Sequence, residues 1–248
     1  MDSRLFLKRL VSVIFPPLCV SCRKRIEEGA LCGDCERSIE IRSGFTCPEC
    51  GRRIPACAGG PTRTNPLEIG NPCHEKAKFV LAAATFYEIS AVRELIHALK
   101  YQRIKTALRP ISEIVGKYVE KTIGDSKSGI QNFIIVPVPL YLKKERERGF
   151  NQATLIAGLL NKNLGIDILE NNLVRKRKTN SQTKTKNYEE REKNVADCFE
   201  VKCPELIAGK NVILVDDVFT SGATMREAVR VLKNAGARKI IGFVVAKT

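Results

Sequence analysis

Apolar residues follow two different periods along this chain. Continuous, mainly apolar runs are typical of strands buried on both faces of a parallel sheet, and they occur at 79–84, 133–136, 212–215 and 239–246. Helical spacing is found in the stretch 93–101 and predicts further helices at about 106–121, up to about 160, and at 225–234. Strands that alternate with helices predict an α/β fold, a parallel sheet with helices on both faces, in which 79–84 is an edge strand. His97 falls inside the first of these helices and is interpreted as a packed or interfacial residue.

The residues before this α/β pattern have a different composition. Eight of the ten cysteines precede residue 75, and the shift predicts a small module at 1–78 and a larger domain at 79–248. At the start of the chain one helix face is apolar (Leu5, Phe6, Leu10, Val13 and Ile14). This pattern predicts an amphipathic leader helix that docks on the protein, with binding to a membrane surface as the alternative. No run is long enough for a transmembrane helix, and metal-ligand cysteine spacing favours a cytoplasmic protein over a secreted one.

Two C-x-x-C pairs predict a structural zinc site. They are Cys19 with Cys22 and Cys32 with Cys35, and a two-residue spacer allows both thiolates of a pair to face one ion. Four thiolates leave no open coordination position, so the ion is expected to stabilise the fold without taking part in catalysis. Cys198 and Cys203 lack such spacing and are interpreted as ordinary small residues.

A second zinc site is less complete in the sequence. Cys47 and Cys50 form a third pair, and Cys73 is a third candidate ligand, but Lys76 stands where a fourth cysteine is needed. Either Cys57 or His74 supplies the fourth ligand, or this site holds no metal.

The run 212–215 leads directly into the most informative polar segment. Asp216 and Asp217 come first, and the loop Thr220-Ser221-Gly222-Ala223-Thr224 then opens a helix. Amides and hydroxyls at a helix N-terminus can surround a phosphate group, while two carboxylates at the same sheet edge can accept hydrogen bonds from a ribose ring. The alternative, a capped strand-to-helix junction, explains one polar residue but not six in order. No Lys follows the glycine, so this is not a Walker loop.

Two basic segments are expected near the same edge. After 133–136 come Pro137, Val138 and a charged run that contains Arg148, whose guanidinium suits a pyrophosphate; the alternative is a solvated helix start. The segment 175–186 has six basic residues and no acidic or apolar one. We interpret it as a lid that an anion orders, the alternative being a surface loop without function.

The net charge of +15 indicates attraction to polyanions. The alternative is a generally basic, solvated surface without a specific partner. Aromatic residues near basic ones could stack on bases of a nucleic acid, although structural roles are about as well supported by the sequence. They are Tyr101, Tyr141, Phe150 and Tyr188.

The loop 216–224 resembles the phosphoribosyl-pyrophosphate (PRPP) site of type I phosphoribosyltransferases. The whole chain resembles the ComF family of competence-associated proteins, since cysteine pairs, Pro137-Val138-Pro139, Arg148-Gly149-Phe150-Asn151-Gln152, Arg175-x-Arg177-x-Thr179-x-x-Gln182, Arg191-x-x-Asn194 and the Asp216 loop follow in order. The resemblance implies a type I phosphoribosyltransferase fold with an amino-terminal double zinc ribbon, and a role in handling single-stranded DNA during natural transformation. DNA-uptake helicase or recombination proteins are then possible partners.

The same resemblance implies roles for individual residues. Mg²⁺-PRPP would contact Pro137, Val138, Arg148 and the loop Thr220–Thr224. In a transfer reaction, Asp216 and Asp217 would stabilise positive charge on the ribose ring, and Arg175 and Arg177 the departing pyrophosphate. The acceptor is not readable from the sequence. The rival hypotheses are an active phosphoribosyltransferase without a DNA role and a nucleic-acid-binding protein that keeps the PRPP pocket as a sensor or relic.

Overall fold

The structure is a computed structural model that describes residues 17–54, 77–102, 105–124, 130, 132–176 and 195–248. The predicted leader helix and most of the basic segment 175–186 lie outside these ranges. None of the described helices combines the length and apolarity that crossing a membrane would require.

The described chain contains eight strands and six α-helices. The strands are β1 (Phe45–Thr46), β2 (Arg53–Ile54), β3 (Val80–Phe86), β4 (Phe133–Pro137), β5 (Leu173–Arg175), β6 (Phe199–Val201), β7 (Asn211–Phe219) and β8 (Ile240–Lys247). The helices are α1 (Gly33–Arg37), α2 (Ser90–His97), α3 (Leu108–Ile123), α4 (Leu142–Arg148), α5 (Gln152–Leu164) and α6 (Ala223–Asn234). Helix α2 continues into a π-helical turn, Ala98–Gln102.

One six-stranded sheet runs through the molecule in the order β2-β1-β3-β8-β7-β4. Strands β3, β8, β7 and β4 are parallel, and β1 joins β3 antiparallel through Thr46 and Leu81. The prediction of a mainly parallel α/β sheet is therefore confirmed. The prediction that 79–84 is an edge strand is wrong, because the short strand β1 of the cysteine-rich module pairs with its outer side.

Apolar cores lie on both faces of this sheet. Residues of β8 alternate between the two clusters, with Phe243 and Val245 in one and Val244 in the other. Helices α2, α3 and α5 supply the first core, while α6 and the hairpin β5-β6 supply the second. Helices on both faces leave the carboxyl ends of β4 and β7 as the edge where ligands bind in such folds.

Candidate functional site

A cleft of about 390 Å³ opens at the carboxyl ends of β4 and β7. Its walls come from several parts of the chain: Tyr87 after β3, the end of α2 with the π-helical turn that follows, the stretch from Val138 to the start of α5, the end of β5, and β7 with the loop that follows it. The polar residues that line it are Tyr87, His97, Lys100, Tyr101, Lys144, Arg148, Asn151, Gln152, Arg175, Asp216, Asp217, Thr220 and Thr224. Most candidate ligand contacts of the sequence thus meet in one cavity.

The two carboxylates lie inside β7. The sequence predicted that the strand ends before them, but β7 pairs with β8 as far as Phe219 and Lys247. The apolar run ends at Val215 because the walls of the cleft begin there. Asp217 is buried, and its backbone N–H donates to the Asp216 carboxylate over 2.8 Å. The extended sheet therefore holds both acids rigidly.

Asp217 has two side-chain partners that the sequence analysis did not find. Lys100 Nζ lies 2.9 Å from Asp217 Oδ2, and Gln152 Nε2 donates to the same oxygen over 3.2 Å. Burial opposes a charge on Lys100, yet the neighbouring Asp217 raises the lysine pKa above its ordinary value. The ammonium is therefore charged and provides a local counter-ion for the carboxylates.

Asp216 is less easily ionised than an ordinary carboxyl. Its pKa is raised to about 7, mainly by burial and then by the charge of Asp217, while Lys100 acts in the opposite direction. Two adjacent carboxylates in a cleft hold less than their full negative charge without a cation. The pair is thus suited to a ligand that brings hydroxyl donors or a divalent cation.

Gln152 and Arg148 each carry a buried polar atom that has no hydrogen-bond partner among the described residues. The atoms are Gln152 Oε1 and Arg148 Nη1, and the Gln152 side chain is 96% buried, since 4% of its surface is exposed. Buried polar groups are normally paired, so these two atoms are available to hydrogen-bond a polar ligand. One acceptor and one donor in the same cleft fit a polar ligand.

The loop Thr220–Thr224 connects β7 to α6. Gly222 has a φ of +76° at the N-cap of α6, and a Cβ there would clash with Phe219 Cζ and lie 2.9 Å from Phe219 Cε2 and 2.7 Å from Arg226 Nη1. Only glycine suits that conformation and space. The first turn of α6 carries no acidic residue, so the positive end of the helix dipole is open to an anion.

The segment after β4 differs from the prediction. The charged run is itself helix α4, which ends at Gly149 with a φ of +84°, and Asn151 then caps α5 by accepting from Ala153 N. The Val138 amide donates to Val215 O over 2.8 Å, so it is not open to a pyrophosphate. Val138 still lines the cleft, whereas Pro137 pairs with Val215 as the last residue of β4.

Three further side chains lie at the mouth. Arg175 lines the cleft with its guanidinium carbon 5.4 Å from the centre of the Phe199 ring. Tyr101 is 62% exposed and contacts both His97 and Arg148 through its ring. His97 is exposed, so it is not a packed residue, and its interpretation as an interfacial one stays a prediction. Arg177 lies outside the described residues.

The four cysteines of the first predicted zinc site come together. Their sulfurs all lie within 4.8 Å of one another, and Cys22 Sγ is 3.6 Å from Cys32 Sγ, close to the roughly 3.8 Å expected around tetrahedral zinc. Burial opposes ionisation, but amides of Cys22, Cys32 and Ser21 lower the pKa of Cys19 to about 6. Burial and the surrounding thiols raise the pKa of Cys35 to about 12. The donor set fits Zn²⁺, whose charge would allow all four thiolates to form.

The Cys47–Cys50 pair forms a tight turn. Gly51 N donates to Cys47 O over 3.0 Å, and Cys47 N donates to Arg52 O over 2.9 Å. Cys47 is buried and Cys50 exposed. The other candidate ligands of this second site, Cys57, Cys73 and His74, lie outside the described residues. Cys198 and Cys203 belong to no potential metal cluster among the described residues.

Comparisons with known proteins agree with this architecture. A model of the double zinc ribbon domain matches residues 10–78, and a model of the phosphoribosyl transferase domain matches residues 148–247.

Relatives match almost the whole chain at low identity. The chain is 28% identical to Competence protein F of Haemophilus influenzae, over 90% of this chain and 93% of that protein. It is 25% identical to DNA utilization protein YhgH of Escherichia coli, with 94% and 98% covered. It is 24% identical to Competence protein ComFC of Bacillus subtilis, with 88% and 84% covered.

Proposed function

The chain belongs to the ComF family of phosphoribosyltransferase-like proteins, and from this premise we propose that its cleft binds PRPP with Mg²⁺. One observation carries the proposal. Two adjacent acids in β7 are followed by the loop Thr220–Thr224 at the N-terminus of α6, and both border a cleft with unpartnered polar atoms. A phosphate site and a hydroxyl-accepting site at this spacing suit a phosphorylated ribose.

Each part of the ligand has candidate contacts. The loop and the α6 N-terminus would hold the 5′-phosphate, and Asp216 and Asp217 would accept hydrogen bonds from the ribose hydroxyls. Arg148 and Arg175 line the cleft and would contact the pyrophosphate, a role for which Arg177 remains a prediction. Bound Mg²⁺ would neutralise charge on the pyrophosphate.

Lys100 adds a condition to this binding mode. Its ammonium forms an ion pair with Asp217 Oδ2, and a ribose hydroxyl that donates to the same oxygen would compete with it. We therefore expect ligand binding to weaken the Lys100–Asp217 ion pair and to free the ammonium for the phosphorylated ligand.

We further propose that this protein acts in the uptake of single-stranded DNA. The support is the names of the relatives, which refer to competence and to DNA utilization, together with the net charge of +15. Tyr101 and Arg148 offer an exposed aromatic ring beside a cation at the cleft mouth, a combination on which bases can stack. Helicase or recombination proteins would be its partners in that process.

The proposal is tested by calorimetric titration with PRPP and Mg²⁺, repeated with a single-stranded oligonucleotide present. We expect saturable PRPP binding, and we expect the double change Asp216→Asn with Asp217→Asn to abolish it while DNA affinity is nearly unchanged. A control that alters net charge equally is Glu170→Gln with Glu205→Gln, two exposed acids that do not line the cleft.

The outcomes separate the alternatives. Absence of PRPP binding by folded protein would overturn the proposed site. Equal loss of PRPP and DNA binding in the Asp216/Asp217 variant, but not in the control, would mean that both ligands share one site. Consumption of PRPP that depends on Mg²⁺ and an added acceptor would favour an active transferase.

A further inference from the structure

The cysteine-rich module contacts the loop Thr220–Thr224, called the phosphate loop below, through Arg226 of α6. Arg226 lies in the first turn of this helix, and its Nη1 donates to Ser221 O over 2.6 Å. The same guanidinium donates from Nε to Glu49 Oε1 and from Nη2 to Glu49 Oε2, both over 3.1 Å, and from Nη2 to Pro48 O over 3.3 Å. One side chain thus joins the loop to residues 177 and 178 positions earlier.

The geometry of this connection is restrictive. The Arg226–Glu49 pair is fork to fork, which fixes the plane of the guanidinium as well as its position. The side chains of Arg226 and Glu49 are 24% and 38% exposed, so the pair is partly shielded from water and salt. Arg226 Nη1 also lies 2.7 Å from the position that a Cβ of residue 222 would take. The guanidinium therefore restrains the backbone of the phosphate loop at Ser221.

The other end of the connection is equally fixed. Pro48 and Glu49 are the two residues between Cys47 and Cys50, in the turn closed by the Gly51 amide. Just before them, Thr46 of β1 pairs with Leu81 of β3, and Cys47 packs with Ile54, Ala77 and Val80. A shift of this turn would act directly on the guanidinium.

We propose that Arg226 is a positioning residue that couples the Cys47–Cys50 turn to the phosphate loop, so that the integrity of this cysteine pair sets the loop's affinity for a phosphate group. The inference rests on the proposed function in one respect, the identity of the phosphate ligand. The coupling itself is a property of the free protein.

The first test uses Glu49→Gln and Arg226→Lys in the full-length chain. Both leave the cysteines and cleft residues intact, and the lysine keeps the positive charge while losing the fork. We expect either change to weaken PRPP binding about tenfold, and the double variant to be no weaker than the single ones, because both break one connection. Arg230→Lys is the matched control, since Arg230 forms its ion pairs one turn further along α6 with Glu227 and Asp197.

A second readout needs no ligand. Hydrogen–deuterium exchange of peptides covering 216–226 should be faster in Glu49→Gln and Arg226→Lys than in Arg230→Lys. It should also be faster in Cys50→Ser than in Cys203→Ser, because Cys203 belongs to no potential metal cluster among the described residues and only Cys50 borders Glu49.

Each result supports or overturns the coupling. Exchange at 216–226 that is the same in the Glu49 and Arg226 variants as in their control would overturn it, and so would tighter PRPP binding by Glu49→Gln, which would show that Arg226 acts only through its charge. If wild-type protein binds no PRPP, the proposed function fails, while the exchange data still decide whether Arg226 positions the loop.

Discussion

The four-cysteine cluster and the cleft build their sites in opposite ways. At the cluster all four ligands come from residues 19–35, and the sulfurs gather within 4.8 Å. At the cleft, Asp217 of β7 meets Lys100 from the turn after α2 and Gln152 from the start of α5. One site is assembled by local turns, and the other by the packing of the sheet and helices.

This difference predicts how each site responds to damage. A local cluster depends on its ion, because without a cation its thiols cannot all ionise. The cleft keeps its geometry without a ligand, because β7 pairs with β4 as far as Val215 and with β8 as far as Phe219. Substitution of one cysteine ligand should therefore remove the metal from the cluster. Substitution of one cleft residue should change the stability or the ligand affinity of the cleft and leave its fold in place.

The largest effect is expected for Cys19→Ser. Structural zinc contributes about 10 kcal/mol or more to folding of zinc-finger peptides at neutral pH, so loss of one thiolate should release zinc and unfold the module around Cys19. Metal content per chain and thermal unfolding would measure this. Cys203→Ser makes the same chemical change outside the cluster, and zinc retained equally by both variants would disprove the ligand assignment.

A smaller loss is expected for Gly222→Ala. The positive φ and the close approach of Phe219 and Arg226 should together cost about 3 kcal/mol, measured by urea denaturation. Gly158→Ala is the control in helix α5, where a Cβ meets nothing within 4 Å and alanine should stabilise by about 0.5 to 1 kcal/mol. If the two variants were equally stable, the loop would not be as tightly packed as described.

Next comes Lys100→Met, which leaves Asp217 without its cation. Removing one partner of a buried ion pair costs about 3–5 kcal/mol. The Lys100 side chain is 23% exposed, so we expect about 2 kcal/mol, below that range. The pKa of Asp216 should rise further, because Lys100 lowers it.

Urea denaturation would measure the loss of stability in Lys100→Met. Lys143→Met is the control, since the Lys143 side chain is 68% exposed. Equal stability of the two variants would mean that the ion pair contributes nothing to the fold.

The smallest effect concerns pH. Burial raises the pKa of Asp216 to about 7 in the folded protein, above about 3.9 in an unfolded chain. Its contribution to stability is therefore greatest below about pH 4 and is lost as the pH rises through the folded pKa. PRPP affinity should change in the opposite direction, because a ribose hydroxyl donates to the carboxylate, and it should increase up to about tenfold per pH unit below pH 7.

Calorimetry at about pH 6 and about pH 8 would measure this dependence. Asp216→Asn is the control, because PRPP itself titrates in this range and that part of the change should persist in the variant. An identical ratio of affinities in both proteins would show that Asp216 does not titrate there.

The same contrast explains what the sequence could and could not predict. Cysteine spacing predicted the cluster because its ligands are near neighbours in the chain, and the apolar runs predicted the parallel strands because a buried strand carries a local pattern. Asp216, Asp217 and the loop to Thr224 were predicted as site residues for the same reason. Each of these features lies within one short segment.

Lys100 and Gln152 could not be found in this way, because their role depends on which elements meet at the cleft. The one local signal for Lys100 is its position four residues after the buried Ile96, on the apolar side of a helix. Helix α4 was missed since its sequence, Leu-Lys-Lys-Glu-Arg-Glu-Arg, has no apolar face. The pairing of β1 with β3 was missed because β1 has only two residues.

The pairing of β1 with β3 also has a consequence for any shortened version of this chain. Besides the strand pair, Arg42 N donates to Ala84 O over 2.9 Å and Thr85 Oγ1 donates to Glu40 O over 2.6 Å. A fragment cut at the predicted boundary after residue 78 would lose all these partners and would carry a bare, apolar β3 at its border. Exposed strand edges recruit other chains, so we expect truncation to yield an aggregating protein, because in the intact chain the cysteine-rich module covers this edge of β3.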